Sequence, residues 1–377
     1  MQEPLDAALD PDRWNLTRYQ PARVDPRRGH LESTFIKLND PHAARALWVK
    51  LTVFAPTSRT SGGPPYERGR TVAEAWAIAF DHTGEEEEPP SYRARASIAP
   101  PRPRHVAVKQ TIPVEDAKLA RALPFSLEVA GVHYDGKRLR GEVVHGNARI
   151  RFDLSLSVRD AAPLVPFPYA SMYQGAFPKT KLVSPIVDAL AEGEVEIVAE
   201  SGNRRWEVAG WPAMQGHNWG TGHADTYAWA HVNAWNEREG RELAFEGFSA
   251  EVRLGKHFTT PLVTIVAVRH RGVRYEATGV SELLRARGTL ENLRRWTFAA
   301  RQAGATIEGS ISLRDDDVVG LYYPNPDGEM TYCLNSKLAS ATVRFEPAGG
   351  PPLSLRSRAT ALELGTRNPA HGVRMYV

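Results

Sequence analysis

The sequence predicts an all-β protein made of antiparallel sheets, and three observations support this fold class. Short segments rich in Val, Ile, Thr and aromatic residues recur along the chain, and 30 glycines and 28 prolines separate them. Residues that favour tight turns stand between many of these segments. Helical periodicity is sparse, and short helices are expected only at 113–123 and 185–191.

Individual strands follow from the alternation of side chains with a period of two. Such runs occur at 48–54 and 75–80 in the first half of the chain, and at 263–268 and 296–301 in the second half. Each run is short enough for a strand of an antiparallel sheet. Gly, Asn or Asp residues supply the turns expected at 134–137, 145–147, 269–272 and 324–328.

The chain length and one proline-rich stretch predict two domains. A chain of 377 residues can form two domains with separate cores. Prolines interrupt the strand pattern at 161–185, near the middle of the chain. We therefore expect two all-β domains packed together, an N-terminal domain of residues 1–200 and a C-terminal domain of residues 201–377.

Composition excludes several classes of function. The 47 Lys and Arg residues nearly balance the 44 Asp and Glu residues, which argues against a nucleic-acid partner. A single cysteine, Cys333, excludes an intramolecular disulfide and a cysteine-based zinc site. No dinucleotide-binding fingerprint is present, so we expect no cofactor. Residues 1–20 lack a secretory apolar run, and no stretch is apolar enough to span a bilayer. We expect a cytoplasmic protein without integral membrane association.

One segment, 216–235, departs from ordinary strand composition because it concentrates His, Trp and Asn residues. From residue 227 onward, large aromatic or polar residues alternate with small apolar ones, so a strand would send each set to its own face. The large face carries Tyr227, Trp229, His231, Asn233 and Trp235. These side chains could fill a barrel or sandwich core. Because buried His and Asn need hydrogen-bond partners, we favour a face that lines a cavity or a dedicated hydrogen-bond network.

A metal site is the competing interpretation of the histidines at positions 217, 223 and 231. Their spacings match neither a helical pair nor a zinc motif, and no carboxylate stands at a typical ligand offset. We therefore expect no metal.

The same segment carries a family resemblance. The matching residues are His217-Asn218-Trp219-Gly220, Trp229, His231, Asn233 and Trp235, supported by stretches at 30–40, 46–53, 319–323, 327–328, 332–333 and 335–337. In these residues the chain resembles the family of bacterial AttH-like proteins and carotenoid 1,2-hydratases (hydroxyneurosporene synthases), and more distantly the plant tocopherol cyclases. The resemblance implies two lipocalin-like antiparallel β-barrel domains packed together, with a hydrophobic ligand in a barrel or between the two.

The resemblance also implies a chemistry. In the hydratases and cyclases of this family, a carbon–carbon double bond is protonated, and water or an internal hydroxyl captures the cation. This reaction needs a positioned acid and aromatic faces that stabilise the cation. The candidate catalytic residues are His217, His223, Asp225 and His231. The candidate ligand-binding residues are Asn218, Trp219, Tyr227, Trp229, Asn233 and Trp235.

We therefore expect a protein that binds a hydrophobic isoprenoid or polyene-type small molecule and hydrates, cyclises or isomerises it without a cofactor. A non-catalytic lipid or pigment carrier would share the cavity but would need no proton donor. A structural module with filled barrels would have no cavity. Peripheral contact with a membrane and the oligomeric state are left open by the sequence.

Overall fold

The computed structural model describes residues 11–58, 60, 69–83, 104–175, 177–251, 259–277 and 279–377, and strands dominate them. The predicted all-β class is confirmed. The helices are α1 (Pro11–Asn15), α2 (Ser171–Gln174) and α3 (Val280–Leu283), with 3-10 turns at Pro21–Arg23, Val114–Asp116, Arg238–Glu242 and Asp315–Asp317. Within the described ranges, no helix has the length and apolar character needed to cross a bilayer.

Sheet 1 contains ten antiparallel strands. They are β1 (His30–Asn39), β2 (Arg45–Ala55), β3 (Val72–Asp81), β4 (Val106–Pro113), β5 (Leu127–Val129), β6 (Val132–Tyr134), β7 (Arg138–His145), β8 (Ala148–Asp160), β9 (Thr180–Val198) and β10 (Arg204–Gly220). Their order across the sheet is β4-β3-β2-β1-β10-β9-β8-β7-β6-β5.

Sheet 2 repeats this path. Its strands are β11 (Tyr227–Val232), β12 (Leu243–Ala250), β13 (Val263–His270), β14 (Val273–Tyr275), β15 (Arg287–Glu291), β16 (Arg295–Gln302), β17 (Ala305–Ser312), β18 (Val319–Pro324), β19 (Met330–Glu346) and β20 (Leu353–Thr366). The order is β14-β13-β12-β11-β20-β19-β17-β16-β15, and β18 pairs with β19 outside this path. In both sheets the first strand pairs with the last, β1 with β10 and β11 with β20, so the two halves share one winding.

Both sheets curl so that their opposite ends meet. In sheet 1, the Val144 N–H of β7 donates to Gln110 Oε1 of β4 over 2.9 Å. In sheet 2, Gln302 Nε2 of β16 donates to the Val266 carbonyl of β13 over 2.6 Å. Strong bends need glycine at close approaches, and a Cβ on Gly193 in β9 would lie 2.1 Å from a carbonyl oxygen of β8. The curled sheets agree with the predicted lipocalin-like barrels.

The interior of each curled sheet is filled with apolar side chains. Sheet 1 encloses a cluster that includes Phe152, Trp206 and Trp211. Sheet 2 encloses stacked rings, with the centroids of Phe245 and Phe298 4.8 Å apart. Because close-packed interiors leave little free volume, a ligand site is expected outside these two clusters.

A third apolar cluster joins the two sheets. Phe35, Trp48 and Trp76 on the outer face of sheet 1 pack against Trp229 and Tyr323 of sheet 2. The rings of Phe35 and Trp229 meet edge to face, with centroids 5.3 Å apart. A cavity between the two sheets lies beside this cluster.

The chain passes from one sheet to the other at a different position from the expected domain division. The expected division at residues 200 and 201 falls between β9 and β10, which pair within sheet 1, whereas the chain passes from sheet 1 to sheet 2 at 221–226. The domain division stays a prediction, and we propose to place it at this passage.

The helix expected at 185–191 is wrong, because the segment belongs to β9. Residues 183–189 are all buried, so the strand shows no alternation.

Candidate functional site

A cavity of about 500 Å³ lies between the outer faces of the two sheets. Sheet 1 contributes Phe35, Trp48, Lys50, Leu182 and Asn218 to its walls, and sheet 2 contributes Tyr227, Trp229, Phe248, Ile265, Tyr323 and Glu363. Segments around 177–180 and 221–225 add to the lining, as do charged residues that include Arg28, Glu251, Asp327, Glu329 and Arg367. The walls thus combine a large apolar surface with charged and polar groups, as a site for an amphiphilic small molecule would.

The structure brings half of the ten predicted site residues to this cavity. The lining residues among them are Asn218, His223, Asp225, Tyr227 and Trp229. The remaining five lie outside the lining and are His217, Trp219, His231, Asn233 and Trp235. The functional assignment of all ten stays a prediction.

The strand β11 has the two faces that the sequence predicts. Ala228, Ala230 and Val232 point into the apolar interior of sheet 2. The opposite face looks toward sheet 1, so Trp229 lies between the sheets. Its Nε1–H donates to Glu246 Oε1 over 3.1 Å, which fixes the indole against the cavity.

His217 is fully buried and holds the N-terminal helix on sheet 1. Its Nδ1–H donates to the Trp14 carbonyl over 2.7 Å, and its Nε2–H donates to Glu32 Oε1 over 2.8 Å. Acceptor oxygens thus face both ring nitrogens of His217, an arrangement that suits a ring with two N–H groups. Burial by itself would raise the pKa of Glu32, but hydrogen bonds from His217 and His30 lower it to about 2. This histidine is therefore committed to an ion pair outside the cavity.

His231 and Asn233 belong to a hydrogen-bond network between the sheets. His231 Nε2 donates to the Val187 carbonyl over 3.0 Å, and burial, together with Lys37, lowers the pKa of His231 well below its ordinary value. Asn233 Oδ1 accepts from Lys37 Nζ over 2.8 Å. Asn233 Nδ2 donates to Asp188 Oδ1 over 2.9 Å. These contacts tie the end of β11 to sheet 1, while His231 Nδ1 is buried without a hydrogen-bond partner among the described residues.

Trp219 and Trp235 pack away from the cavity. The Trp219 ring lies 5.0 Å from His217 and 6.1 Å from Tyr173, and the Arg18 guanidinium covers it at 5.1 Å. Trp235 is half-buried, and its Nε1–H donates to the Leu243 carbonyl over 2.8 Å. Both indoles have structural contacts that account for their positions.

His223 lies in the cavity wall as a neutral base. Its ring stacks on Tyr323 with centroids 5.1 Å apart, and its Nδ1 lies 3.1 Å from Asn325 Oδ1. Burial and the nearby Lys50 lower the pKa of His223 to about 3. Because an amide oxygen only accepts, Nδ1 carries the proton and Nε2 keeps a free lone pair.

Asp225 faces the same cavity from the passage between the sheets. Arg367 lies 3.3 Å from its Oδ1 and also pairs with Glu329 over 2.8 Å. Arg367 lines the same cavity, so Asp225 and Arg367 face it as an ion pair.

Sequence reasoning missed the buried lysines next to the cavity. Lys50 on β2 is 5% exposed, and its Nζ lies 3.8 Å from the centroid of the Tyr323 ring. Burial lowers the pKa of Lys50 to about 8. Lys337 on β19 is fully buried, and its Nζ donates to Glu363 Oε1 over 2.9 Å. In the sequence, Lys50 stands two residues after Trp48 in an alternating strand. A lysine in such a strand normally indicates a solvent-exposed face, so this pattern does not predict that Lys50 is buried.

No group of three or more His, Cys, Asp or Glu side chains suited to a metal ion is found among the residues that the structure describes. Cys333 is buried, and burial raises the pKa of its thiol. The thiol lies 3.6 Å from Glu363 Oε2. A protonated thiol is a weak nucleophile, so Cys333 contributes packing here.

The chain is similar to a family model and to several solved structures. A family model described as tocopherol cyclase-like matches residues 178–366. No curated protein sequence matches the chain. The chain is similar to a structure assigned as AttH from Nitrosomonas europaea, with 10% identity, a TM-score of 0.47 and coverage of 94% of this chain and 98% of that one. It is also similar to kievitone hydratase from Nectria haematococca, with 10% identity, a TM-score of 0.46 and 92% coverage of both chains. A third structure, CghA with Sch210972, gives 11% identity, a TM-score of 0.49 and coverage of 90% and 88%. Because the family model spans half of the chain, the chain belongs to the tocopherol cyclase-like family.

Proposed function

We propose that the protein binds a hydrophobic isoprenoid or polyene-type small molecule in the cavity between its two sheets. There it adds an O–H group across a carbon–carbon double bond, or moves that bond, by acid–base chemistry without a cofactor. Hydration uses water as the O–H donor, and cyclisation uses a hydroxyl of the ligand. Membership in the tocopherol cyclase-like family supports this class of reaction.

The observation that carries the proposal is the composition of the cavity wall. Phe35, Trp48, Trp229 and Tyr323 present aromatic faces to one space of about 500 Å³. Such faces stabilise a desolvated cation by up to about 2 kcal/mol each. The carboxylate of Asp225 lines the same cavity and is paired with Arg367, which also lines it. Because the Lys50 ammonium lies 3.8 Å from the Tyr323 ring centroid, a carbocation would be stabilised by the aromatic faces farther from Lys50.

His223 supports the proton transfer. The oxygen that captures the cation must lose its proton, and Nε2 of His223 can accept it, because Nδ1–H is held by Asn325. The imidazolium formed in this way has a pKa of about 3, so it is a strong acid. It gives the proton to the double bond of the next ligand and so forms the next cation. The net change is one O–H added across one C=C, with no proton left over.

The test is the His223→Phe variant, which keeps a ring to stack on Tyr323 but removes both nitrogens. The matched control is His371→Phe, because His371 contacts the Tyr332 ring at 5.1 Å outside the cavity. Prenylated phenols and linear polyenes are incubated with each protein, and mass spectrometry separates hydrated products from cyclised ones. We expect turnover by the wild type and the control, and a loss of roughly 100-fold or more in the His223 variant. Unchanged turnover in that variant would remove His223 from the mechanism.

A non-catalytic carrier is the competing function, and one observation favours it. Two of the predicted catalytic residues line the cavity, and neither is a ready proton donor. His223 is neutral, and Asp225 is paired with Arg367. A carrier would bind the same molecules with wild-type affinity in the His223 variant and would convert none of them. Binding without conversion in the wild type would therefore favour the carrier.

A further inference from the structure

We propose that Lys50 binds an anionic oxygen of the ligand, so that the molecule held between the sheets is an amphiphile with a carboxylate or an enolate at one end. This inference rests on the proposed cavity function and adds the chemical class of the ligand to it. It predicts a hydrophobic body against the aromatic walls and an acidic oxygen at Lys50.

Lys50 is a buried cation that faces the cavity without a polar partner. It lines the cavity and is 5% exposed. Its Nζ lies 3.8 Å from the Tyr323 ring centroid and 5.7 Å from those of Trp48 and Trp76. Within the described part of the chain, no oxygen accepts a hydrogen bond from this nitrogen or pairs with it. An ammonium group has three donors, and leaving them unfilled in an apolar site is costly.

The other buried lysines between the sheets have acceptors. Lys37 Nζ donates to Asn233 Oδ1 over 2.8 Å and to Asn39 Oδ1 over 3.2 Å. Lys337 Nζ donates to Asn335 Oδ1 over 2.6 Å and to Glu363 over 2.9 Å. Neither of these lysines lines the cavity. Among Lys37, Lys50 and Lys337, the lysine without an acceptor is the one that lines the cavity.

The carboxylates nearest to Lys50 are engaged elsewhere. Glu363 accepts from Lys337 and from Asn335 Nδ2, the latter over 3.2 Å. Glu74 lies 3.7 Å from Lys109 and accepts from Trp76 Nε1 over 3.1 Å. Both carboxylates attract Lys50 through space, but their direct hydrogen bonds and ion pairs are made with other groups. An anionic oxygen supplied by the ligand would neutralise Lys50 through charge-assisted hydrogen bonds, which are stronger than neutral ones.

The experiment compares two polyenes that differ at one end. Retinoic acid carries a carboxylate, and retinol carries a hydroxyl on the same chain. Their affinities for the full-length protein are measured by quenching of tryptophan fluorescence, with the wild type, Lys50→Met and the control Lys179→Met. Lys179 also lines the cavity but is exposed, so it tests for nonspecific attraction of the anion.

We expect the wild type to bind retinoic acid roughly 10- to 100-fold more tightly than retinol. Lys50→Met should remove this preference while retinol still binds, and Lys179→Met should keep it. Equal binding of acid and alcohol to the wild type would overturn the inference and leave the cavity function standing. Failure of both probes to bind would overturn both proposals. The comparison within the wild type is decisive even if Lys50→Met does not fold.

Discussion

The substitution Glu246→Gln should stabilise the protein at alkaline pH. Glu246 on β12 is 2% exposed, accepts from Ser184 Oγ over 2.5 Å and accepts from Trp229 Nε1. Burial raises the pKa of Glu246 from 4.5 to about 7. The folded state therefore binds this proton more tightly than the unfolded state. The contribution of Glu246 to the free energy of unfolding is highest below pH 4.5 and falls as the pH rises to about 7. The change amounts to about 3 kcal/mol.

Glutamine has no such dependence, and its amide can still accept from Trp229 and donate to Ser184. Urea denaturation of the wild type and Glu246→Gln is compared at pH 5 and pH 8. The stability of the variant relative to the wild type should increase by roughly 2–3 kcal/mol between these pH values. The control is Glu207→Gln, an exposed carboxylate on β10, which should show no such increase. A difference between variant and wild type that stays constant from pH 5 to pH 8 would refute the reasoning.

Three further predictions concern groups that hold the sheets and the N-terminal helix. Glu363→Leu leaves Lys337 buried without its anion and should cost about 3–5 kcal/mol in chemical denaturation, whereas adding Lys337→Met should restore part of this. Glu32→Gln removes the anion that pairs with His217. Because the pKa of Glu32 is lowered to about 2, its contribution of about 3 kcal/mol is present above pH 4.5 and is lost as the pH falls toward 2, so the variant's deficit should shrink in acid. Trp229→Ala should lower stability by about 3–5 kcal/mol and widen the cavity, so that bulkier polyenes quench the remaining tryptophans.

The alternation in β11 could be predicted from the sequence, but the direction of each face could not. Because side chains alternate along a strand, Tyr227 and Trp229 lie on one face and the alanines on the other in any tertiary structure. The sequence does not say that bulky residues of other strands, such as Phe245 and Trp296, already fill the interior of sheet 2. Only small side chains fit on the inner face of β11. Trp229 and His231 therefore turn outward and meet sheet 1, whereas Trp235, beyond the end of the strand, packs against the interior cluster of sheet 2.

The roles of the histidines depend on contacts that no local pattern contains. His217 pairs with Glu32, which is 185 positions away, and His231 donates to Val187. Both residues matched the family pattern, yet these contacts use them to hold elements together. His223 is the predicted histidine that lines the cavity, and its partner Asn325 comes from the loop after β18. Spacing along one segment could not separate these three environments.

The charged groups beside the cavity show why the site belongs to both halves of the chain. Apolar side chains fill both barrel interiors, and the cavity with the aromatic walls lies where two outer faces meet, which also carry polar residues. On a single barrel, Lys50 would be solvated, and its charge would need no partner. Packing of sheet 2 against it supplies Tyr323 as a cation–π neighbour, while Glu363 from the same sheet is already paired with Lys337. The burial of the Lys50 charge thus arises from the association of the two sheets, and we expect neither half alone to bind an anionic ligand at this position.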